Sequence, residues 1–472
     1  MPHRRDVAVD PVDAVVAPRF VQRRLRPGLG FGTSLQHPVL GFTPAAAEEY
    51  ARNQTLFLRR HRMGRSVRMS YGHAFTDWWE KYGKEHPDWF QLLPDGRRGP
   101  NKKGARYSMC VSNPGLHQQI VAIWRAAGGA RPDRGVSFIN AVENDVPGQC
   151  QCDRCQSWDG PPPPDYLAHY SPASKLAGAR FVSDRYARFW LAVQQLAARE
   201  NPQALVIGYA YMNYFQAPTS GVRLNPNILV GFCPSGGFFP RSSDEHAWIK
   251  RQWEGWRRTG ARLFARTNHF LDGYCMPWIF AHQFADEFQH FAREGMVATD
   301  FDSLTGQWST QGPNLYLLAR LHVRPDAAPE ALLGEYYAAF GAAAPQVKAY
   351  FDYWEKHTTE SRQRVERAFS EMTVSRWRTF AKGAHIAFPP GCFAPAEALL
   401  DQAAAAAATD PEAAARVGFL KAGLQHAKLC SRAAAVLTLA REGGLPPEAH
   451  AVVAELAAFR RAHERDGIAN FN

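Results

Sequence analysis

Two acidic residues separated by one position, Glu143 and Asp145, follow an apolar run that is typical of a β-strand. Because strand side chains alternate between the two faces, both carboxylates would leave the strand on one face, within about 7 Å of each other. In a partly dry pocket, such a pair does not ionise fully: one group acquires a raised pKa and acts as an acid, while the other stays charged. The spacing therefore indicates acid/base catalysis. The alternative is that the pair caps the loop or pairs with arginines.

A second pair, Asp300 and Asp302, repeats this spacing after another apolar run, and we expect it to serve catalysis or substrate contact. Polar and aromatic side chains also stand at the ends of the other apolar runs, where a sugar ring would hydrogen-bond or stack. The predicted substrate-binding set is His73, Asn144, Tyr209, Tyr211, Asn268, Asp300, Asp302 and Trp308. For each aromatic side chain, packing in the core is the alternative.

Three of the eight cysteines crowd into six positions directly after the first carboxylate pair: Cys150, Cys152 and Cys155. Three thiolates from one loop and a fourth from elsewhere suit a tetrahedral structural Zn²⁺, and Cys110 is the candidate fourth ligand. A disulfide and free buried thiols are the alternatives. A metal or a disulfide would clamp the loop that holds the carboxylates, so we expect a structural role and no cofactor for catalysis.

From about residue 18 to residue 325, short apolar runs alternate with longer amphipathic stretches. Strands separated by helices pair in parallel, so this pattern predicts an α/β protein with a (β/α)8 TIM-type barrel, whose functional groups sit at the carboxyl ends of the strands. The predicted strands span residues 20–25, 66–69, 136–142, 204–211, 228–233, 262–265 and 296–301. An eighth strand is not apparent, so closure of the barrel is inferred.

After Pro325 the chain becomes rich in alanine, and several helical stretches open with proline near the first turn. We predict that residues 326–472 form a separate all-α domain. The first 17 residues carry charges without an apolar core, and we predict a disordered leader there.

Lysine and arginine total 55 against 44 aspartate and glutamate residues, which gives a net charge of +11. These basic residues are scattered and match no nucleic-acid-binding motif, so we expect no nucleic-acid partner. An apolar run of about 20 residues is absent, and so is a secretory signal. The sequence therefore predicts a cytoplasmic protein without a membrane partner, or a secreted or periplasmic one if the chain is an N-terminally truncated fragment. Nucleotide-binding loops and the motifs of serine hydrolases and zinc proteases are also absent.

The segment that begins with Glu143-Asn144-Asp145 and continues into Cys-x-Cys-x2-Cys resembles the bacterial domain of unknown function 4838, whose members include glycoside hydrolase family 163. Two further segments, within residues 86–114 and 316–337, are similar to stretches of the same family. The resemblance covers roughly residues 20–354.

This resemblance implies a TIM-barrel glycosidase, related to hexosaminidases and α-glucuronidases, that acts on an oligosaccharide or polysaccharide. Relatives in family 163 are retaining endo-β-N-acetylglucosaminidases that use the acetamido group of the substrate as the nucleophile. On that basis we predict Glu143 as acid/base and Asp145 as the carboxylate that orients the acetamido group. One alternative is a glycosidase that acts on a uronic-acid polymer with carboxylates from two strands. The other is a carbohydrate-binding barrel without catalysis.

Overall fold

The computed structural model describes residues 18–26, 40–67, 69–131, 136–166, 168, 179–234, 239–302, 304, 306–370, 376–443 and 447–471. The predicted disordered leader, residues 1–17, lies outside the described residues. Within them, no helix is both long enough and apolar enough to cross a membrane.

Six of the predicted strands form at their predicted places, most of them shortened at one or both ends, and a seventh short strand joins them in one sheet. The strands are β1 (Gln22–Leu25), β2 (Gly64–Arg65), β3 (Phe138–Asn140), β4 (Leu205–Ala210), β5 (Ile228–Phe232), β6 (Arg262–Ala265) and β7 (Ala298–Phe301). Across the sheet their order is β2-β1-β7-β6-β5-β4-β3. All neighbours are parallel except β2, which is antiparallel to β1. The α/β class is therefore confirmed.

The predicted closed (β/α)8 barrel is wrong, because among the described residues the sheet is an open half-barrel of seven strands. The two edge strands are β2 and β3, and the strand that we predicted over residues 66–69 is absent there among the described residues. The chain instead pairs residues 64–65 with β1 and then passes the end of β3. There Ala74 N donates to Val142 O (2.9 Å), while the Asn140 side chain donates to Gly72 O (2.9 Å). Among the described residues β3 pairs with β4 alone, so the sheet does not close at this point.

Helices connect the strands and then continue alone to the carboxyl end. They are α1 (Pro44–Arg60), α2 (Trp78–Tyr82), α3 (Pro114–Ala126), α4 (Asp153–Gln156), α5 (Ser183–Ala198), α6 (Ser243–Arg258), α7 (Ala281–Arg293), α8 (Gly312–Leu321), α9 (Pro329–Ala338), α10 (Ala344–Ser370), α11 (Arg376–Ala387), α12 (Phe393–Ala406), α13 (Pro411–Gly443) and α14 (Pro447–Ala462). Local sequence sets their starts: α3 has Pro114 in its first turn, and the Asn113 side chain accepts from Gly115 N (2.8 Å).

The alternation of strand side chains gives the sheet two apolar faces. On β4, Val206 and Ala210 belong to the main core with the helices, while Leu205, Ile207 and Tyr209 belong to a second cluster on the other face. This second cluster fills the inside of the half-barrel, so the interior near the strand ends is packed with side chains.

The main core continues from the sheet into the carboxyl-terminal helices. Trp278, which precedes α7, packs edge-on against Phe380 of α11 (5.0 Å between ring centroids) and against Phe388 (6.0 Å). Helices are the regular structure described after residue 325, as the alanine-rich sequence indicates. The domain boundary near residue 325 stays a prediction.

Candidate active site

A cavity of about 730 Å³ lies beside the carboxyl end of β3. Most of its wall comes from residues 73–107, which lie between β2 and α3 in the chain, and Asn144 and Asp145 complete it. Its lining combines aromatic rings, Trp79 and Tyr107, with charged groups of both signs. Aromatic faces beside a few polar groups are the surroundings in which proteins bind sugars and other small polar ligands.

Asp145 is the carboxylate from the predicted catalytic pair that faces this cavity, and about a third of its side chain is exposed. Tyr211 Oη donates to Asp145 Oδ1 (2.9 Å), and Arg106 forms an ion pair with Oδ2. Burial acts to raise the pKa of Asp145, but the Tyr211 hydrogen bond and the positive charge of Arg106 outweigh it and hold the pKa below its ordinary value. Asp145 is therefore ionised at neutral pH.

Glu143 lies beneath the cavity wall, with only 2% of its surface exposed, and does not line the cavity. Its Oε2 accepts from Met109 N (3.0 Å) and Tyr186 Oη (2.9 Å), and its Oε1 accepts from Asn144 N (2.8 Å). Burial raises the pKa of Glu143 to about 7, although these three donors favour the charged form. Glu143 thus has the raised pKa that the spacing predicts. Its hydrogen bonds, however, join its own segment to the segments of Met109 and Tyr186.

The two carboxylates differ because β3 ends at Asn140, before the pair begins. The side-chain alternation of a strand therefore does not extend to Glu143 and Asp145. The backbone turns there instead, and Val146 N donates to Asn144 O (2.7 Å). Asn144 itself, predicted to bind substrate, lines the cavity with its side chain bonded to Phe75 and to Tyr107 O. Its amide holds the cavity wall together.

The second acidic pair is neutralised by arginines. Asp300 is fully buried, and Arg26 binds both of its oxygens (2.9 and 2.6 Å) while Tyr71 Oη donates to Oδ2 (2.6 Å). Burial acts to raise its pKa, but the Arg26 hydrogen bonds and the charges of Arg26 and Arg266 lower it. Asp302 pairs with Arg266 (2.9 Å). Neither aspartate lines the cavity, so the structure brings this pair together with arginines and not with Asp145.

The remaining predicted substrate contacts divide between the cavity and other surroundings. His73 lines the cavity, with Nδ1 2.7 Å from Glu143 O, and Tyr211 reaches Asp145. Tyr209 is buried in the interior cluster, and Asn268 accepts from Arg266 (3.0 Å).

Trp308 packs elsewhere. Its indole N–H donates to Tyr50 Oη (2.7 Å), and its ring meets Phe57 edge-on (4.6 Å), both on α1. Trp308 and Tyr209 therefore pack against other side chains, which is the alternative given above for the aromatic residues.

The four predicted metal ligands come together. Their Sγ atoms all lie within 4.8 Å of one another, and all four cysteines are free: Cys110, Cys150, Cys152 and Cys155. A second group, Cys275 with His426 and Cys430, has its ligand atoms within the same limit.

Cavity residues that the sequence did not reveal come from the segment before α3. They are Thr76, Trp79, Glu80, Lys84, Lys103, Arg106 and Tyr107, among others. This segment lacks the strand periodicity that guided the prediction, and its clearest signal was the pair Lys102-Lys103, which stands out only as local basic charge.

The chain thus combines an α/β half-barrel with a ligand-sized cavity and an ionised carboxylate at a strand end, the arrangement of an active site in barrel-like enzymes. The model of the family described as domain of unknown function (DUF4838) matches residues 1–352, and the chain belongs to this family.

Sequence comparison with curated proteins gives no match. Among solved structures, a variant of the O-GlcNAc hydrolase of Thermobaculum terrenum aligns with 96% of this chain and 91% of its own, at 11% identity and a TM-score of 0.38. At that TM-score, the likeness carries no argument about fold or activity.

Proposed function

We propose that this protein is a glycoside hydrolase that cleaves an N-acetylhexosaminide with help from the acetamido group of the substrate. The observation that carries the proposal is Asp145, an ionised carboxylate that faces a cavity beside aromatic rings at the carboxyl end of β3. The family resemblance of the sequence around Asp145 supports the same reaction.

In this reaction the acetamido oxygen attacks the anomeric carbon, the glycosidic oxygen leaves with a proton from an acid, and water later opens the cyclic intermediate. Asp145 suits the carboxylate that accepts a hydrogen bond from the acetamido N–H. Tyr211 and Arg106 occupy one position on each oxygen of Asp145, and a carboxylate has about four acceptor positions, so room for the substrate remains.

The proton donor must reach the glycosidic oxygen and therefore has to stand at the cavity wall. Glu143, the acid predicted from sequence, is buried with both oxygens bonded, so we assign it a positioning role. Besides Asp145, the carboxylate that lines the cavity in the described part of the chain is Glu80 of α2. We assign the acid to Glu80.

Hydrolysis of aryl N-acetylhexosaminides with good and poor leaving groups, together with N-glycans, tests these roles. Glu80→Gln should slow substrates with poor leaving groups by about 10²- to 10⁴-fold and activated substrates much less, since these need no proton. Asp145→Asn should slow both kinds by a similar factor. Asp95→Asn is the control, because Asp95 is paired with an arginine, as Asp145 is, but is exposed and lies outside the cavity.

If Glu143→Gln gives the leaving-group dependence and Glu80→Gln does not, the acid returns to Glu143. If no N-acetylhexosaminide is hydrolysed by the unmodified protein, the proposed reaction is wrong.

The charge of the cavity wall favours a second candidate, a glycosidase for a uronic-acid-containing polymer. Lys84, Lys103 and Arg106 line the cavity against two carboxylates, so the wall carries an excess of positive charge. Under this alternative, uronic-acid oligosaccharides should be cleaved faster than neutral N-acetylhexosaminides, and Lys103→Gln should raise KM for them selectively.

A further inference from the structure

The thiol cluster beside the candidate active site is built from two parts of the chain. Cys150 and Cys152 lie in the loop after β3, Cys155 lies in α4, and Cys110 precedes α3. Cys110, Cys150 and Cys155 are buried, and Cys152 is half-buried. The four Sγ atoms therefore converge from sequence-distant segments into a largely water-free site.

Three of the distances between these sulfur atoms are close to the edge length of a tetrahedral zinc site. Cys110 Sγ is 3.5 Å from Cys152 Sγ and 3.8 Å from Cys155 Sγ, and Cys150 Sγ is 3.6 Å from Cys152 Sγ. Four thiolates at about 2.3 Å from a zinc ion lie about 3.8 Å from one another, as the edges of a tetrahedron require. A disulfide would bring two sulfurs to about 2.05 Å, well below these three distances.

Groups around the cluster supply the outer contacts that orient metal-bound thiolates. Leu92 N donates to Cys150 Sγ (3.3 Å), and Ser112 Oγ lies 3.1 Å from Cys155 Sγ. The loop is held from outside as well, because Arg185 donates to Cys150 O (2.9 Å) and pairs with Asp159. Protein groups thus support the site on several sides.

We propose that Cys110, Cys150, Cys152 and Cys155 bind one structural zinc ion. Four sulfur ligands leave no open coordination position, so the ion takes no part in catalysis. It fastens the loop after β3 to the segment before α3. That segment includes Met109, whose N–H binds Glu143, so the zinc site fixes the backbone below the cavity wall.

The second cluster, Cys275 with His426 and Cys430, serves as an internal contrast. Arg460 Nε donates to His426 Nε2 (3.0 Å), and Arg460 Nη2 lies 3.5 Å from Cys430 Sγ. A guanidinium group thus already contacts two of the three ligand atoms with its positive charge, and this cluster offers three ligands instead of four. We expect no zinc there.

Metal analysis of the full chain tests the proposal without any assay of activity. Protein purified under reducing conditions without chelators should contain about one zinc ion per chain. After dialysis against a chelator, Cys152→Ser should retain less than about a fifth of that zinc, because three ligands bind more weakly than four. Cys275→Ser, a change at another half-buried cysteine, should retain all of it.

Cobalt substitution of the unmodified chain is a second measurement that needs no variant. Co²⁺ in place of zinc should show the visible bands of a tetrahedral site and sulfur-to-metal charge transfer. The proposal is overturned if the unmodified chain neither contains zinc nor takes up cobalt, if the site holds iron, or if Cys275→Ser loses the zinc while Cys152→Ser keeps it. Failure of the glycosidase assay would leave these outcomes unchanged.

Discussion

Glu143–Asp145 and Asp300–Asp302 share one spacing, and both pairs stand near the carboxyl end of a parallel strand, yet their surroundings differ. Asp300 lies inside β7, opposite Arg24 of β1 in the sheet register, and Arg26 binds both of its oxygens. Asp145 lies five residues beyond the end of β3, and the cation paired with it, Arg106, is itself largely exposed.

The difference teaches that the groups around a carboxylate, and not the spacing of the pair, decide what that carboxylate can do. A carboxylate within the strand points into the packed interior, where its charge must be neutralised by neighbours. Asp145, five residues beyond the strand end, lies at a cavity and keeps free acceptor positions, whereas Glu143, three residues beyond the same end, is buried. Spacing alone does not distinguish the two cases.

The largest effect on stability should come from Asp300→Ala. The change leaves Arg26 and Arg266 without their shared buried carboxylate, and breaking a buried ion pair costs about 3–5 kcal/mol. Urea unfolding at neutral pH measures the loss. A cost below about 1 kcal/mol would mean that the arginines find other partners and that the two acidic pairs differ less than the structure indicates.

Glu143 gives the next effect, a dependence of stability on pH. Its pKa rises from an ordinary 4.5 to about 7 on folding, so the folded state binds the proton more tightly than the unfolded chain. This stabilisation is complete below about pH 4.5 and is lost as pH rises through 7, by about 3 kcal/mol in total. Urea unfolding at pH 5 and pH 8 should show the loss in the unmodified protein and a smaller one in Glu143→Gln. Equal slopes in the two proteins would contradict the raised pKa.

The smallest effect concerns Asp145 and Arg106. Because Arg106 lowers the pKa of Asp145, Arg106→Gln should move the acid limb of the kcat/KM profile to higher pH. High salt should shift the unmodified enzyme in the same direction, since this ion pair is partly exposed. An unmoved limb would show that Asp145 does not control it.

The strands were the most predictable part of the molecule, because a buried parallel strand is a continuous apolar run. The run at residues 262–265 became β6 without change of bounds. Closure was not predictable, since it depends on whether the segment after residue 66 pairs with β3, and an apolar run does not specify its pairing partner.

The candidate site was predictable in part. The motif around Asp145 could be found, but the separation of Glu143 from the cavity follows from the end of β3 at Asn140, a boundary that an apolar run does not mark. Lining residues such as Glu80 and Arg106 come from irregular segments, where sequence periodicity carries no information about proximity.

Binding of a thiazoline inhibitor, which mimics the cyclised intermediate, tests most directly whether Asp145 holds the acetamido group. Calorimetric titration should give at least about 100-fold weaker binding to Asp145→Asn than to the unmodified protein, since a charge-assisted hydrogen bond to the ligand is lost and its partner is left in the cavity. Asp95→Asn should bind as the unmodified protein does. Equal affinity of Asp145→Asn and the unmodified protein would contradict the account.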